Sequence, residues 1–308
     1  MPRWNLIISL RWLLSRVGFI YIVAFLFCLV FVDFKTLDER TKIRHLNDSI
    51  PDFSDLVLFS RGKALRDDTE WQRYANYFKL VLSYMPDDAL TKQLLGFVEY
   101  YFGHEGRAID LFKNSSDIKG QGLFWSNYNL GLIYYKKGDW SQAADYLFKT
   151  IASNPKLTGF LMQNSTVYRQ IFASPFFRFS LEADLHEAQG RAYVLLLSSL
   201  AHLGQYEKMF LVSKVAVSNP DLPYKDVFYA DAGIACDNMG RPQEALLFFE
   251  KSLSLQKSNP DVYYDMATLY GRLGQSQQAA QFLQASYALH LKDKGTFPYE
   301  AHFNVQVF

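Results

Sequence analysis

Small residues return along this chain at nearly constant intervals. Aligned on one position, the sequence shows Gly62, Gly96, Gly131, Leu197, Gly233 and Ala267, with gaps of 34, 35, 66, 36 and 34 residues. A gap of 66 is close to two periods, so a degenerate unit is expected near Ser165. Other marks recur in phase. Glycines stand at Gly103, Gly138, Gly204, Gly240 and Gly274. A glycine just past a helix end can take a positive φ without a Cβ clash, so these five predict turns between paired helices. Ala108, Ala143, Ala245 and Ala279 follow, and four residues after each come Phe112, Leu147, Phe249 and Leu283. That spacing puts both on one helix face. Pro86, Pro155, Pro220 and Pro260 punctuate the joints between units. A chain with one pattern at this period folds as a stack of similar supersecondary units, not around a single core.

The best-preserved copy reads Leu130-Gly131-x-x-Tyr134, then Gly138, Ala143, Leu147 and Pro155. This resembles the tetratricopeptide-repeat family, in which each unit is a pair of antiparallel helices. The resemblance implies an all-α helix-turn-helix solenoid of six to seven units. It also implies a protein that binds others on a surface and does not turn over a substrate in a pocket. Units are expected at 55–157 (three) and 190–293 (three), with a degenerate unit or insertion at 158–189 and a tail at 294–308. Some units depart from the pattern. Tyr74 stands where alanine is expected, and Leu197, Met209 and Ser213 occupy the small and packing positions of the unit at 190–222. Looser packing is expected in both units. Pro175, before Phe176, Phe177 and Phe179, is expected to interrupt any helix there. The 158–189 segment is then either a decayed repeat whose rings complete the core or a loop that docks onto something.

Residues 17–32 read VGFIYIVAFLFCLVFV, sixteen positions without a charge. With flanks from Trp12 the run reaches the length needed to cross a bilayer, about 20 residues. No small-residue cleavage site follows it, so a retained anchor at 17–33 is expected and not a cleaved signal peptide. A short basic segment, 1–16, precedes it, and a charged tether, 34–54, follows. Lysines and arginines on the two sides nearly balance. The short wholly basic amino terminus tips the orientation toward a cytoplasmic N-terminus, with the repeats outside the cytoplasm. Cys28 lies in the apolar run. Cys236 falls in the first helix of a well-formed unit, where it reads as a small buried apolar residue.

Several function classes find no support. Net charge is +1, which gives no electrostatic footprint for nucleic acid. The six histidines show no metal-ligand spacing and have no cysteine pair beside them. Gly120-x-Gly122 lacks the lysine and third glycine of a phosphate loop and reads as an inter-unit turn. Asp87-Asp88 reads as a helix cap. No catalytic residue, cofactor or metal is expected, and the chain is not expected to be an enzyme.

The family resemblance implies that first helices line the concave side. In this sequence that register selects Phe97, Tyr101, Trp125, Tyr128, Tyr135, Lys136, Tyr264 and Arg272 as the partner-binding groove. Gln93, Tyr100, Leu132, Arg191, Ser198, His202, Asp237, Asn238 and Thr268 share the row. Rings of this kind are enriched at binding hot spots. The family's Lys/Asn/Arg set for a terminal carboxylate is not reproduced. The expected function is a membrane-anchored adaptor that holds protein partners, as a peptide or helix in the groove, and supports a membrane-associated complex. The alternatives are a permanent structural subunit of such a complex and an enzyme with an unrecognised site.

Overall fold

The computed structural model describes residues 38–51, 68–118, 121–153 and 175–292, and the chain divides into two units, Met1–Asp52 and Phe53–Phe308. In the first unit, residues 38–48 form a helix that covers part of the charged tether. Its exposed charges pair one turn apart, Lys42 with Asp38 at 2.6 Å and Arg44 with Asp48 at 3.8 Å. The apolar run at 17–32 lies outside the described residues. Among those described, no helix is long and apolar enough to cross a membrane.

The second unit is a series of helical hairpins. It begins with α1 (Asp68–Tyr84), followed by α2 (Ala89–Tyr101) and α3 (Glu105–Ser115). A two-residue antiparallel ladder, β1 (Asp117–Ile118) with β2 (Gln121–Gly122), leads into α4 (Phe124–Lys136) and α5 (Trp140–Ala152). Then come α6 (Pro175–His202), α7 (Tyr206–Ser218), α8 (Lys225–Asn238), α9 (Pro242–Leu255), α10 (Pro260–Arg272) and α11 (Ser276–Lys292). Helices pair as α2/α3, α4/α5, α6/α7, α8/α9 and α10/α11, with α1 packed against α2. Aside from the short ladder, the described residues are an all-α solenoid.

Each hairpin turns the same way, and the glycines explain how. Gly103, Gly138, Gly204, Gly240 and Gly274 all take φ between 66° and 78°. At the end of α2, Gly103 N donates to Tyr100 O at 3.0 Å and His104 N to Glu99 O at 2.9 Å. These two bonds, one nested inside the other, satisfy carbonyls that a helix end leaves open. The same pair recurs at Gly138 with Asp139, Gly204 with Gln205, Gly240 with Arg241, and Gly274 with Gln275. Asp88, Asp139 and Asn259 cap the starts of α2, α5 and α10 through their side chains, as expected for Asp88.

Within a hairpin, the small residue of the first helix admits the large residue of the second. A Cβ on Gly96 would lie 2.9 Å from Phe112, one on Gly131 2.7 Å from Leu147, and one on Gly233 2.6 Å from Phe249. Phe112, Leu147 and Phe249 are all buried, a gain of about 1.5–3 kcal/mol each. The α6/α7 hairpin exchanges the sizes at this register, with Leu197 on the first helix and Ser213 on the second, both fully buried. Tyr74, Met209 and Ser213, around which looser packing is expected, are all buried, and at Leu197 and Ser213 the volume lost at one position is supplied at the other. Cys236 lies in the core with Ala245, Phe249, Val262, Met266 and Leu269, where burial raises its thiol pKa.

Pro175 also corrects an expectation. It does not interrupt a helix but opens α6, where a first-turn residue needs no N–H donor. From there α6 runs 28 residues, across the expected boundary at 189/190. The stretch 154–174, the start of the first unit and the tail lie outside the described residues.

Candidate functional site

The face that first helices present is filled in its amino-terminal half. Phe97 is buried because Trp71 of α1 lies against it, with centroids 5.9 Å apart. The same indole stacks on the half-buried Tyr101 at 5.6 Å and 8°, and burial pushes the Tyr101 phenol up to about 12. Behind these rings, Gln93 Oε1 accepts from Ser126 Oγ at 3.2 Å, and Ser126 meets Ser115 at 2.7 Å. This buried polar chain ties α2, α3 and α4 together. Trp125 and Tyr128 of α4 are fully buried, edge-on to each other at 5.9 Å, with Phe124 stacked against Tyr128.

Phe97, Trp125 and Tyr128 are therefore interior rings, which corrects the expectation that they line an open groove. The register is that of the groove, but neighbouring helices cover it. Tyr128 and Trp125 are unusual within that interior. Among the described residues the Tyr128 hydroxyl and the Trp125 Nε1 meet no hydrogen-bond partner, as is also true of Asn127 Oδ1 on the same helix. Each buried polar group left so costs about 1–3 kcal/mol. Burial pushes the Tyr128 phenol up to about 12, with Arg191 and Glu187 of α6 acting on it in opposite senses. Tyr135 is half-buried. Its hydroxyl meets Ser198 of α6 at 2.8 Å, and its ring packs on Trp140, which stacks on His202 at 4.0 Å. Lys136 is exposed at the end of α4, and desolvation draws its pKa below the usual lysine value.

The carboxyl-terminal half is open. On α10, Asp261, Tyr264, Thr268 and Arg272 are exposed along one face, with Asp265 half-buried among them. Tyr264 is 56% exposed, the most accessible ring of the predicted row. Arg272 reaches back to pair with Asp237 of α8 and fixes the two helices side by side. Burial, then the charges of Asp261 and Asp237, raise Asp265 to about 7. The sequence-predicted row thus separates into three buried rings, two half-buried ones, and an exposed set of Lys136, Tyr264 and Arg272.

Two clusters escaped the sequence reading. Glu99 of α2 is buried, yet holds Lys79 at 3.1 Å and His104 at 2.7 Å, with Arg107 at 3.9 Å. Burial works to raise its pKa, but the bonds and charges of His104 and Lys79 outweigh this and lower it. The other cluster centres on Tyr224, just before α8. It has φ 65°, the one non-glycine positive φ among the described residues. Its hydroxyl donates to Glu187 of α6 at 2.7 Å. Nothing in the letters Pro223-Tyr224-Lys225 signals a left-handed tyrosine. No group of three or more His, Cys, Asp or Glu among the described residues is placed to hold a metal.

Comparison with known proteins agrees with this architecture. Tetratricopeptide-repeat family models match residues 128–157, 228–259 and 248–281. These cover α4/α5, α8/α9 and the passage from α9 into α11. No curated protein matches the chain. Among solved structures, YrrB, described as a TPR protein with an unusual peptide-binding site, is 15% identical. It aligns with a TM-score of 0.50 over 71% of this chain and 95% of its own. MamA from Desulfovibrio magneticus RS-1 is 13% identical, with a TM-score of 0.47 over 68% of this chain and 98% of its own. Another MamA structure is 16% identical, with a TM-score of 0.48 over 64% and 95%. The likeness to YrrB is one of fold alone. The chain carries tetratricopeptide repeats in an all-α solenoid of the kind that serves protein–protein interaction.

Proposed function

We propose that this protein is a membrane-anchored adaptor that holds a partner segment on the open inner face of α8 and α10 and so supports a membrane-associated complex. The carrying observation is the row of half-buried Asp237 with the exposed Asn238, Tyr264, Thr268 and Arg272. It combines one large accessible ring with a charged pair that bridges two units. Tyr264 offers contact area at little conformational cost, and the polar residues around it fix orientation. The partner is a peptide or helix with an apolar anchor for Tyr264 and basic groups for the acidic rim of Asp261 and Asp265. YrrB's described peptide site supports the idea that this fold accommodates such ligands. Anchoring rests on the uncharged run at 17–32, and the short, wholly basic amino terminus supports the orientation with the solenoid outside the cytoplasm. The proposal assigns no catalytic step and no cofactor.

Photo-crosslinking from position 264 of the full chain, in gently solubilised native membranes, tests the docking face. A discrete adduct that disappears in Arg272→Ala is expected. Adducts forming from position 247 on the outer face and not from 264 would move the site elsewhere. Extraction of the full chain by alkaline carbonate would refute the anchor. A second reading, a permanent subunit, draws on Leu211, Val215, Leu247 and Leu255, large apolar residues exposed on α7 and α9. It predicts that the chain leaves the membrane only within a larger assembly of fixed stoichiometry.

A further inference from the structure

The last hairpin leaves open a face that every earlier hairpin buries. Tyr264 of α10 is 56% exposed, whereas the residues in its place on the earlier first helices, Ala230, Val194, Tyr128 and Gln93, are buried. Leu283 of α11 is 37% exposed, although Phe249, Ser213, Leu147 and Phe112 hold the same place on the other second helices and are at most 1% exposed. Tyr287, one turn further along α11, is 63% exposed. Each earlier hairpin is backed by the next first helix, α3 by α4, α5 by α6, α7 by α8 and α9 by α10. Among the described residues no element backs α10 and α11 in this way. A repeat unit cannot bury its apolar side alone, so the open face is a stacking surface without its neighbour.

The composition of α11 points the same way. From Ser276 to Leu289 it carries no Asp, Glu, Lys or Arg, and the glutamines Gln277, Gln278, Gln281 and Gln284 fill exposed positions. The second helices α3, α5, α7 and α9 each carry at least two charged residues. A helix facing water normally wears charge, whereas the centre of an interface is depleted of it. The chain that follows α11 matches this. Residues 295–308 hold one charged residue, Glu300, in fourteen positions. Ala301, Phe303, Val305 and Val307 alternate there with His302, Asn304 and Gln306, a period that gives an extended segment one apolar edge.

Connection favours this segment over any separate chain. α11 ends at Lys292, so 293–296 lead directly away from the helix that forms the face. Four extended residues span up to about 14 Å, more than the roughly 8–10 Å between packed helix axes. So short a tether holds its segment at a local concentration of about 1 mM, which a second copy would have to match in solution. We propose that residues 295–308 seat on the open end face of α10 and α11, across Tyr264, Leu283 and Tyr287, and close the solenoid in place of a further hairpin. A partner reaching Tyr264 then has to displace the tail. That consequence rests on docking at Tyr264, whereas the seat itself does not.

Hydroxyl-radical footprinting of the full chain in detergent, with no partner present, tests the seat and leaves crosslinking from position 264 to a partner as a separate question. Deleting 293–308 should raise oxidation of Tyr264 and Tyr287 severalfold and leave the exposed Met85 unchanged. The double variant Phe303→Asp/Val305→Asp keeps the chain length and should do the same, which separates loss of the seat from damage done by the cut. A photo-crosslinking residue at position 287 should form an adduct with 295–308 of its own chain, so in a mixture of isotopically light and heavy protein each adduct carries a single label. Unchanged oxidation of both tyrosines in the double variant would overturn the proposal. So would the absence of any adduct within 295–308, or adducts joining a light chain to a heavy one, which would make the occupant a second copy.

Discussion

Gly233 offers the sharpest test of how the hairpins close. A Cβ there would sit 2.6 Å from Phe249 Cε1, 2.7 Å from Cδ1 and 3.0 Å from Cζ. Three ring atoms at that range cannot be relieved by rotating one torsion, and the ring is held between Cys236, Val262 and Met266 in the core. The ring or the helix must move. Overpacking of this kind costs about 1–3 kcal/mol. Against it stands the helix propensity of alanine over glycine, about 0.8–1.0 kcal/mol. Gly271→Ala isolates that second effect, since its new Cβ would meet only Ala279 Cβ at 4.0 Å. Gly271→Ala should therefore be neutral to stabilising, and Gly233→Ala should fall below it by about 2 kcal/mol. In a solenoid of this length that is roughly 4–8 °C between their melting temperatures by circular dichroism. The double variant Gly233→Ala/Phe249→Leu copies the Ala267 and Leu283 pairing of the last hairpin and should recover part of the loss. Equal melting temperatures for Gly233→Ala and Gly271→Ala would refute the small-against-large account.

Other outcomes follow from the same structure. Tyr128→Phe deletes a buried hydroxyl without a partner, so it should hold or raise stability by up to about 1 kcal/mol in denaturant titration. A loss above that would mean the hydroxyl is bonded in solution. Gly240→Ala meets no atom within 4 Å but keeps φ at 73°, so its loss, about 1–2 kcal/mol, should be backbone strain alone. Glu99 has a lowered pKa, so its contribution is present above its unfolded value near 4.5 and fades as pH falls through the folded one. Glu99→Gln should flatten the acid limb of a stability–pH curve. Asp265 is the opposite case. Raised to about 7, it favours the fold at low pH and loses that contribution as pH rises from about 3.8 to about 7. Asp265→Asn should remove that slope and be the more stable chain at pH 8.

The hairpins were legible because their determinants are local. Gly103 and its four counterparts act through their own φ, and Gly96 and Phe112 meet within one unit at constant spacing. The site was legible only in register. That Tyr264 and Arg272 belong to one face followed from periodicity, and both are exposed there. That Phe97 belongs to the interior did not, because the ring that covers it, Trp71, belongs to α1 and so to a different unit. Glu99 carried no signal in the sequence, since its partners Lys79 and His104 are brought to it only by the fold. Tyr224 was beyond reach, because its conformation is imposed by Pro223 against Gly190 and by Glu187 a helix away.

The five nested glycine turns make each hairpin a standard part, closed by the same pair of backbone bonds whatever its side chains. What distinguishes this chain among the described residues lies in the joints. The short ladder precedes α4, the elongated α6 follows α5, and the left-handed tyrosine introduces α8. The departures from the repeat therefore lie where one part is handed to the next. An engineer wishing to redirect this protein should graft between hairpins and leave their turns alone. A segment spliced ahead of a first helix inherits a rigid mount on its far side, whereas one inserted at a glycine turn would break the closure that the whole stack repeats.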